Sequence, residues 1–351
     1  MTVPKVTYEI YYQGTNITGS ILPYLISFSY TDKSKGEADE LEITLEDSDQ
    51  LWQNAWYPTK GDKISAKIFD LGKVLDCGTF TVDEIVSSIS IDGDILSIKG
   101  IGAGINKAIR TKNSYAHENK TLREIANTIA AKHGLKLQGN IENVRIARET
   151  QYREHDLKFL QRLANDYGYT FSIRENLLIF TSVFELENKT EALTINRNEI
   201  ISSEITDKTS NSFRAVKLSY HNPKEKTVIT FEKKEDDPAF TGGKVDTLEI
   251  KLRAENKQQA EIKSKVALYN ANSLQQEGNA TILGNILALA WNNCTLLGRG
   301  VFSGNYYIRE SSHLVEKDGG YTTSIDIKRT GLIEKEKKAK KKEESESDSE
   351  F

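Results

Sequence analysis

The chain has 351 residues, with 47 Lys and Arg against 51 Asp and Glu, a net charge of −4. That balance excludes a dedicated duplex-binding domain, which carries a basic excess, and no nucleic-acid partner is expected. A hydrophobic fraction of 38% and two distant cysteines, Cys77 and Cys294, exclude a wholly disordered chain and a disulfide scaffold.

The first twenty residues hold no apolar core behind a basic start, so no secretory signal is expected. Residues 1–108 read as β. In residues 40–46, Leu41, Ile43 and Leu45 alternate with Glu and Thr, and residues 63–68 alternate likewise. This period of two marks half-buried antiparallel strands. Turn residues separate them at Gly61-Asp62, Asp76-Cys77-Gly78 and Asp92-Gly93. Several short strands at this spacing predict a barrel or sandwich.

Residues 109–190 change period. Thr121 and Glu124 form a capping box before Leu122, Ile125, Ala126 and Ile129, and Gly134 stands where the helix should stop. A second helix is predicted from about Asp156 to Gly168, followed by a hairpin over 169–180. Residues 191–331 return to β, with strands near 214–220, 227–232 and 247–252 and one helix near 256–274. The longest apolar run, residues 282–291, is too short to span a bilayer, so no stable membrane insertion is expected. Residues 332–351 are mostly charge and Ser and are expected to be disordered.

The two β regions repeat a pattern. Gly78 is followed by Glu84, Asp92-Gly93 and Ser97-Ile98; Gly304 is followed by Glu310, Asp318-Gly319 and Ser324-Ile325. The first two offsets agree, and the third differs by one residue, as an altered turn would produce. A duplicated barrel follows, and three such chains around one axis would present six near-equivalent units.

No pattern of catalytic chemistry assembles. Gly100, Gly102 and Gly104 follow a strand, but the third dinucleotide-loop position holds Ile105 or Lys107, so the run reads as a barrel exit. There is no phosphate-loop motif and no Gly-x-Ser-x-Gly elbow. His117-Glu118 begins like a zinc-protease helix, but Thr121 stands where its second His belongs. His133, His155, His221 and His313 show no metal spacing, and His133 reads as compensating a helix dipole. Cys77 reads as a small apolar residue. The carboxylate pairs Glu46-Asp47 and Asp236-Asp237 read as solvated faces. No catalytic, cofactor or metal residue is therefore expected, and none is named. Two alternatives remain: a cell-wall hydrolase using two carboxylates, or a glycan- or receptor-binding module. For the second, Trp52, Trp56 and Trp291 would be stacking platforms; otherwise they belong to the core.

Residues 149–169, from Glu149 through Gln151, Tyr152, Asp156, Leu157, Phe159, Leu160, Arg162 and Leu163 to Gly168-Tyr169, resemble a segment of the phage late control gene D family. The same segment occurs in the hub part of the type VI secretion spike protein VgrG. His155 stands where that family has Ser, and Asn165-Asp166 where it has an acidic pair. Residues 30–47, 56–62, 75–80, 110–112, 121–126, 304–308 and 319–324 resemble it in the same order, so the likeness covers about residues 25–331. The resemblance implies a baseplate hub of a contractile tail: a homotrimer with two tube-like barrels per chain, set between a hexameric inner tube (or tube initiator) and a spike. It implies assembly in the cytoplasm with other baseplate proteins, and no catalytic residues or cofactor. No β-helical needle repeat follows residue 331, so the spike is expected on a separate chain.

Overall fold

The structure, a computed structural model, describes residues 6–330 except 35, 37, 92, 103–110, 175, 209–212, 214, 223–226, 235–246 and 319. The boundary near 108 and the charged tail expected at 332–351 lie outside the described residues.

The first unit runs β1 (Thr7–Tyr12), β2 (Thr15–Asn16), α1 (Thr18–Ile21), β3 (Leu25–Lys33), β4 (Glu40–Glu46), β5 (Lys63–Asp70), β6 (Lys73–Ser90) and β7 (Gly93–Gly102). Its strands pair in the order β3-β4-β7-β6-β5-β1, all antiparallel. The alternation of Leu41, Ile43 and Leu45 faces a core with Phe28, Ile64 and Phe80. The sheet curls until its two ends meet: Tyr8 of β1 packs edge-on against Phe28 of β3, centroids 5.2 Å apart.

The insert follows as β8 (Lys112–Thr121), α2 (Leu122–Lys132), β9 (Lys136–Gln138), β10 (Arg145–His155), α3 (Asp156–Tyr167), β11 (Tyr169–Arg174), β12 (Leu177–Ser182) and α4 (Val183–Glu187). Both capping-box bonds of α2 form: Thr121 N–H donates to Glu124 Oε2 at 2.7 Å, and Glu124 N–H to Thr121 Oγ1 at 3.2 Å. Gly168 ends α3 in the left-handed region, φ 75°. Phe159, Leu160 and Leu163 join Ile125 and Phe180 in a separate core.

The remainder is β13 (Leu193–Ile195), β14 (Ile200–Asp207), β15 (Ala215–Asn222), β16 (Thr227–Lys234), β17 (Thr247–Ile250), α5 (Lys257–Asn272), β18 (Gln276–Leu283), β19 (Asn293–Leu296), β20 (Gly304–Glu316) and β21 (Tyr321–Arg329). The stretch expected as one barrel with one helix holds two sheets. Strands β15, β16 and β17 form their own three-stranded sheet. Helix α5 lies between that sheet and the insert: Ala260 packs against Leu218 of β15, Gln259 donates to the Arg145 carbonyl at 2.8 Å, and Glu255, just before the helix, accepts the N–H groups of Ala147 and Arg148. The other strands pair in the order β14-β18-β21-β20-β19-β13.

Strand for strand, this is the order of the first unit. The duplicated hairpin agrees in register as well. In β6–β7 the extra, bulged residue is Asp83; in β20–β21 it is Arg309, and both stand five positions after the repeat glycine. The β6–β7 turn has two residues between Ser90 and Gly93, whereas three lie between Glu316 and Gly320. That is the one-residue difference read from the sequence. The units differ in one pairing: β1 is antiparallel to β5, but β13 is parallel to β19.

Candidate assembly interface

The two units share one sheet. Residues 310–316 of β20 pair antiparallel with residues 27–33 of β3, from Glu310 opposite Lys33 to Glu316 opposite Ser27. At its centre Thr31 Oγ1 lies 3.2 Å from Ser312 Oγ, and the Tyr30 ring stacks on His313 at 6.0 Å. His313 is fully buried, and burial lowers its pKa to about 4, so the joint holds a neutral imidazole near pH 7.

The loop from 284 to 292 fastens this joint. Ile286 packs into the core of the first unit, and Ala290 N–H donates to Asp32 Oδ2 at 3.1 Å. The insert grips the same point: Arg174 Nη2 reaches Asp32 Oδ1 at 3.1 Å, and a Cβ at Gly36 would collide with the Phe171 ring. Burial, with Asp39 close by, pushes the Asp32 carboxyl above the ordinary carboxylate range despite Arg174.

The duplication extends through the strands at this joint. Residues 25–33 and 200–208 share Ile26 and Ile201, Ser27 and Ser202, and the triplets Thr31-Asp32-Lys33 and Thr206-Asp207-Lys208. Both strands bulge at the shared Ile. Lys33 pairs with Glu40 and Lys208 with the equivalent Glu277, each at 2.7 Å. Thr44 shares a hydrogen bond with Ser97 at 3.4 Å, and Thr281 with Ser324 at 3.0 Å. Sequence reading found the hairpin and missed this second repeat, which a self-comparison of the chain at an offset of 175 exposes.

What differs is cover. Strand β3 has β20 on its outer side, while β14 is a sheet edge among the described residues: Ser202, Thr206 and Asp207 are exposed where Ser27 and Thr31 are half-buried and Asp32 is buried. Residues 84–90 of β6 correspond to the joint half of β20, yet they pair only with β7, and Ile89 is 75% exposed. The chain therefore carries one filled joint and two edges of the same design with no strand on them among the described residues.

The other sequence candidates fall outside this interface or serve packing. Cys77 and Cys294 are buried and unbridged, and burial drives both thiols up, that of Cys294 to about 12. Gly100 lies within β7, where a Cβ would come within 2.7 Å of Ile64, so it permits close packing; Gly104 lies outside the described residues. His117 stacks on Phe159, centroids 5.3 Å apart, with its ring nitrogens unbonded. His133 Nε2 lies 2.7 Å from buried Asp156, a more specific role than dipole compensation. Asp47 is not on a solvated face: it is buried and accepts Trp52 N–H at 2.8 Å; Asp236 and Asp237 lie outside the described residues. Trp52 is core, Trp291 is half-buried, and Trp56 stands 46% exposed beside Trp52, lining with Tyr12 and Tyr57 a groove of about 460 Å³. The resembling string 149–169 builds the insert: Gln151 Nε2 and His133 both bond Asp156, and Arg162 reaches Glu149 at 2.9 Å.

Among the described residues no helix is long and apolar enough to cross a membrane. No family model matches the chain. The probable baseplate hub protein of Escherichia phage P2 is 30% identical over 176 residues, which are 49% of this chain and 44% of that protein, so the match spans less than half the relative's length. The tail protein from Neisseria meningitidis MC58 superposes with a TM-score of 0.68 over 93% of this chain and 98% of that one, at 13% identity. The E. coli c3393 protein, described as a component of the type VI secretion system, superposes with a TM-score of 0.56 over 88% and 74%, at 11% identity. The chain thus has the fold of phage tail proteins, and about half of it resembles the probable baseplate hub protein of phage P2.

Proposed function

We propose that this chain is a structural baseplate hub of a contractile tail or contractile injection system. It acts as a homotrimer that adapts a hexameric inner tube to a trimeric spike. One observation carries the reading: a single chain holds two units of the same strand order, edge to edge in one sheet. Three copies in a ring offer six similar barrels to one partner and a threefold set of inserts to the other. The likeness to the P2 hub supports this assignment.

In this reading residues 1–108 and 191–331 supply the barrels, the second with the separate sheet of β15, β16 and β17 inserted in it, 109–190 the insert, and 332–351 a charged tail. The chain assembles in the cytoplasm with tube, spike and other baseplate proteins, then resides in the baseplate. In this reading its role is structural, and no catalytic step is assigned to it. Light scattering on the purified chain tests the reading. A mass near three times 39.5 kDa is expected for the chain alone, or that mass plus the bound spike when the spike is co-expressed. A monomer under both conditions overturns it.

A further inference from the structure

The exposed half of β6 and the exposed edge of β14 correspond to the two halves of the in-chain joint, but six strands of the sheet lie between them. We infer that residues 84–90 of one copy pair antiparallel with residues 202–208 of a second copy, in the register of the β20–β3 joint. This inference rests on the homo-oligomeric hub reading and deepens it to named strands.

The register follows by substitution. Glu310 opposite Lys33 becomes Glu84 opposite Lys208; Ser312 opposite Thr31 becomes Val86 opposite Thr206; Glu316 opposite Ser27 becomes Ser90 opposite Ser202. Charges oppose correctly at the first pair, and no like charges face each other along the ladder. The exposed Ile89 falls opposite the small Ser203, where Val315 meets Phe28 in the chain. An open edge of this length is an aggregation hazard unless it is covered, and the cover that matches it is a copy of the chain.

A second contact is fixed by the same equivalence. In the chain, Trp291 N–H donates to the Ile308 carbonyl and Ile308 N–H to Asn292, which sets Ala290 against Asp32. In the first unit Gly61 N–H donates to the Val82 carbonyl and Val82 N–H to Asp62. Both turns use a positive φ, 73° at Trp291 and 96° at Gly61. Counting back, Lys60 corresponds to Ala290 and Trp56 to Ile286. Lys60 N–H therefore addresses Asp207 of the second copy. The exposed Trp56 takes the place of Ile286, which packs across the in-chain joint into the neighbouring core. Trp56 is thus the anchor of the contact between copies.

Paired cysteines test this. The double variant V86C/T206C, mildly oxidised, should give disulfide-linked dimers and trimers on a non-reducing gel. T31C/S312C should cross-link within one chain, and V86C/S202C, four residues out of register, should not link. The native thiols are buried and do not compete. Trp56→Ser should weaken self-association by about tenfold or more while leaving the chain folded, since its ring is half exposed. A trimer by light scattering without V86C/T206C cross-links, while T31C/S312C does link, overturns this register and leaves the hub reading standing. A monomer throughout overturns both.

Discussion

Strands β3 and β14 share five of nine residues and the same bulge, yet one is covered and the other open. The covered strand carries Phe28 and Tyr30, both buried. At the same places the open strand carries Ser203 and Ile205, while it keeps the hydroxyls of Ser27 and Thr31 as Ser202 and Thr206. A joint made once, within a chain, takes aromatic bulk because the strand is never presented to solvent after folding. An edge that waits for a partner keeps the pairing groups and sheds the bulk, which holds down exposed apolar area.

The largest effect should come from cutting that difference away. Phe28→Ala removes a fully buried ring at the joint and should cost about 3–5 kcal/mol in urea unfolding. Ser203→Ala at the equivalent position should stay within about 0.5 kcal/mol. Equal losses would mean that β14 is already covered.

Acidity should separate joint from insert. The raised Asp32 carboxyl makes the folded chain hold its proton over a range where the unfolded chain has lost it. Its contribution to stability therefore falls as pH rises from the ordinary carboxylate value through the raised one. Asp156 behaves oppositely: burial pushes its carboxyl up, but hydrogen bonds from Lys132, Gln151 and His133 outweigh burial and hold it below the ordinary value. Its contribution is present above that ordinary value and fades as pH falls through the depressed one. Urea midpoints between pH 3 and 8 should show both slopes. Asp32→Asn should remove the alkaline-side loss, and Asp156→Asn the acid-side loss. A profile for Asp32→Asn identical to that of the unaltered chain would sink the assignment.

The smallest effect should be the most symmetric. Thr44→Val and Thr281→Val each delete the same cross-strand hydrogen bond and should each cost about 0.5–1 kcal/mol. A clear inequality would argue that the units are alike in topology only.

Much of this architecture was legible in the chain. The capping box of α2, the stop at Gly168, the hairpin repeat and its one-residue turn difference all depend on neighbours close in sequence, where spacing encodes geometry. The second repeat was not, because it spans single strands with no glycine turn to mark them and its aromatic positions have diverged. Nor was the separate sheet of β15, β16 and β17: alternation shows that a strand has one buried face but not which sheet it joins. Buried Asp47 looked solvated because burial by a chain segment folding back, here around Trp52, leaves no periodic trace.

The joint between β3 and β20 also sets a timetable. Thr31 and its partner Ser312 are 281 residues apart. At a ribosomal pace of about 5–20 residues per second, roughly 15–55 s pass between their emergence. During that interval Phe28 and Tyr30 line a strand whose own cover has not been made. The matching half of β6 leaves the ribosome far sooner, on this chain and on any sibling translated beside it. Newborn chains are thus exposed to a premature bond between siblings at the very strand reserved for the interior, and slower synthesis lengthens the exposure.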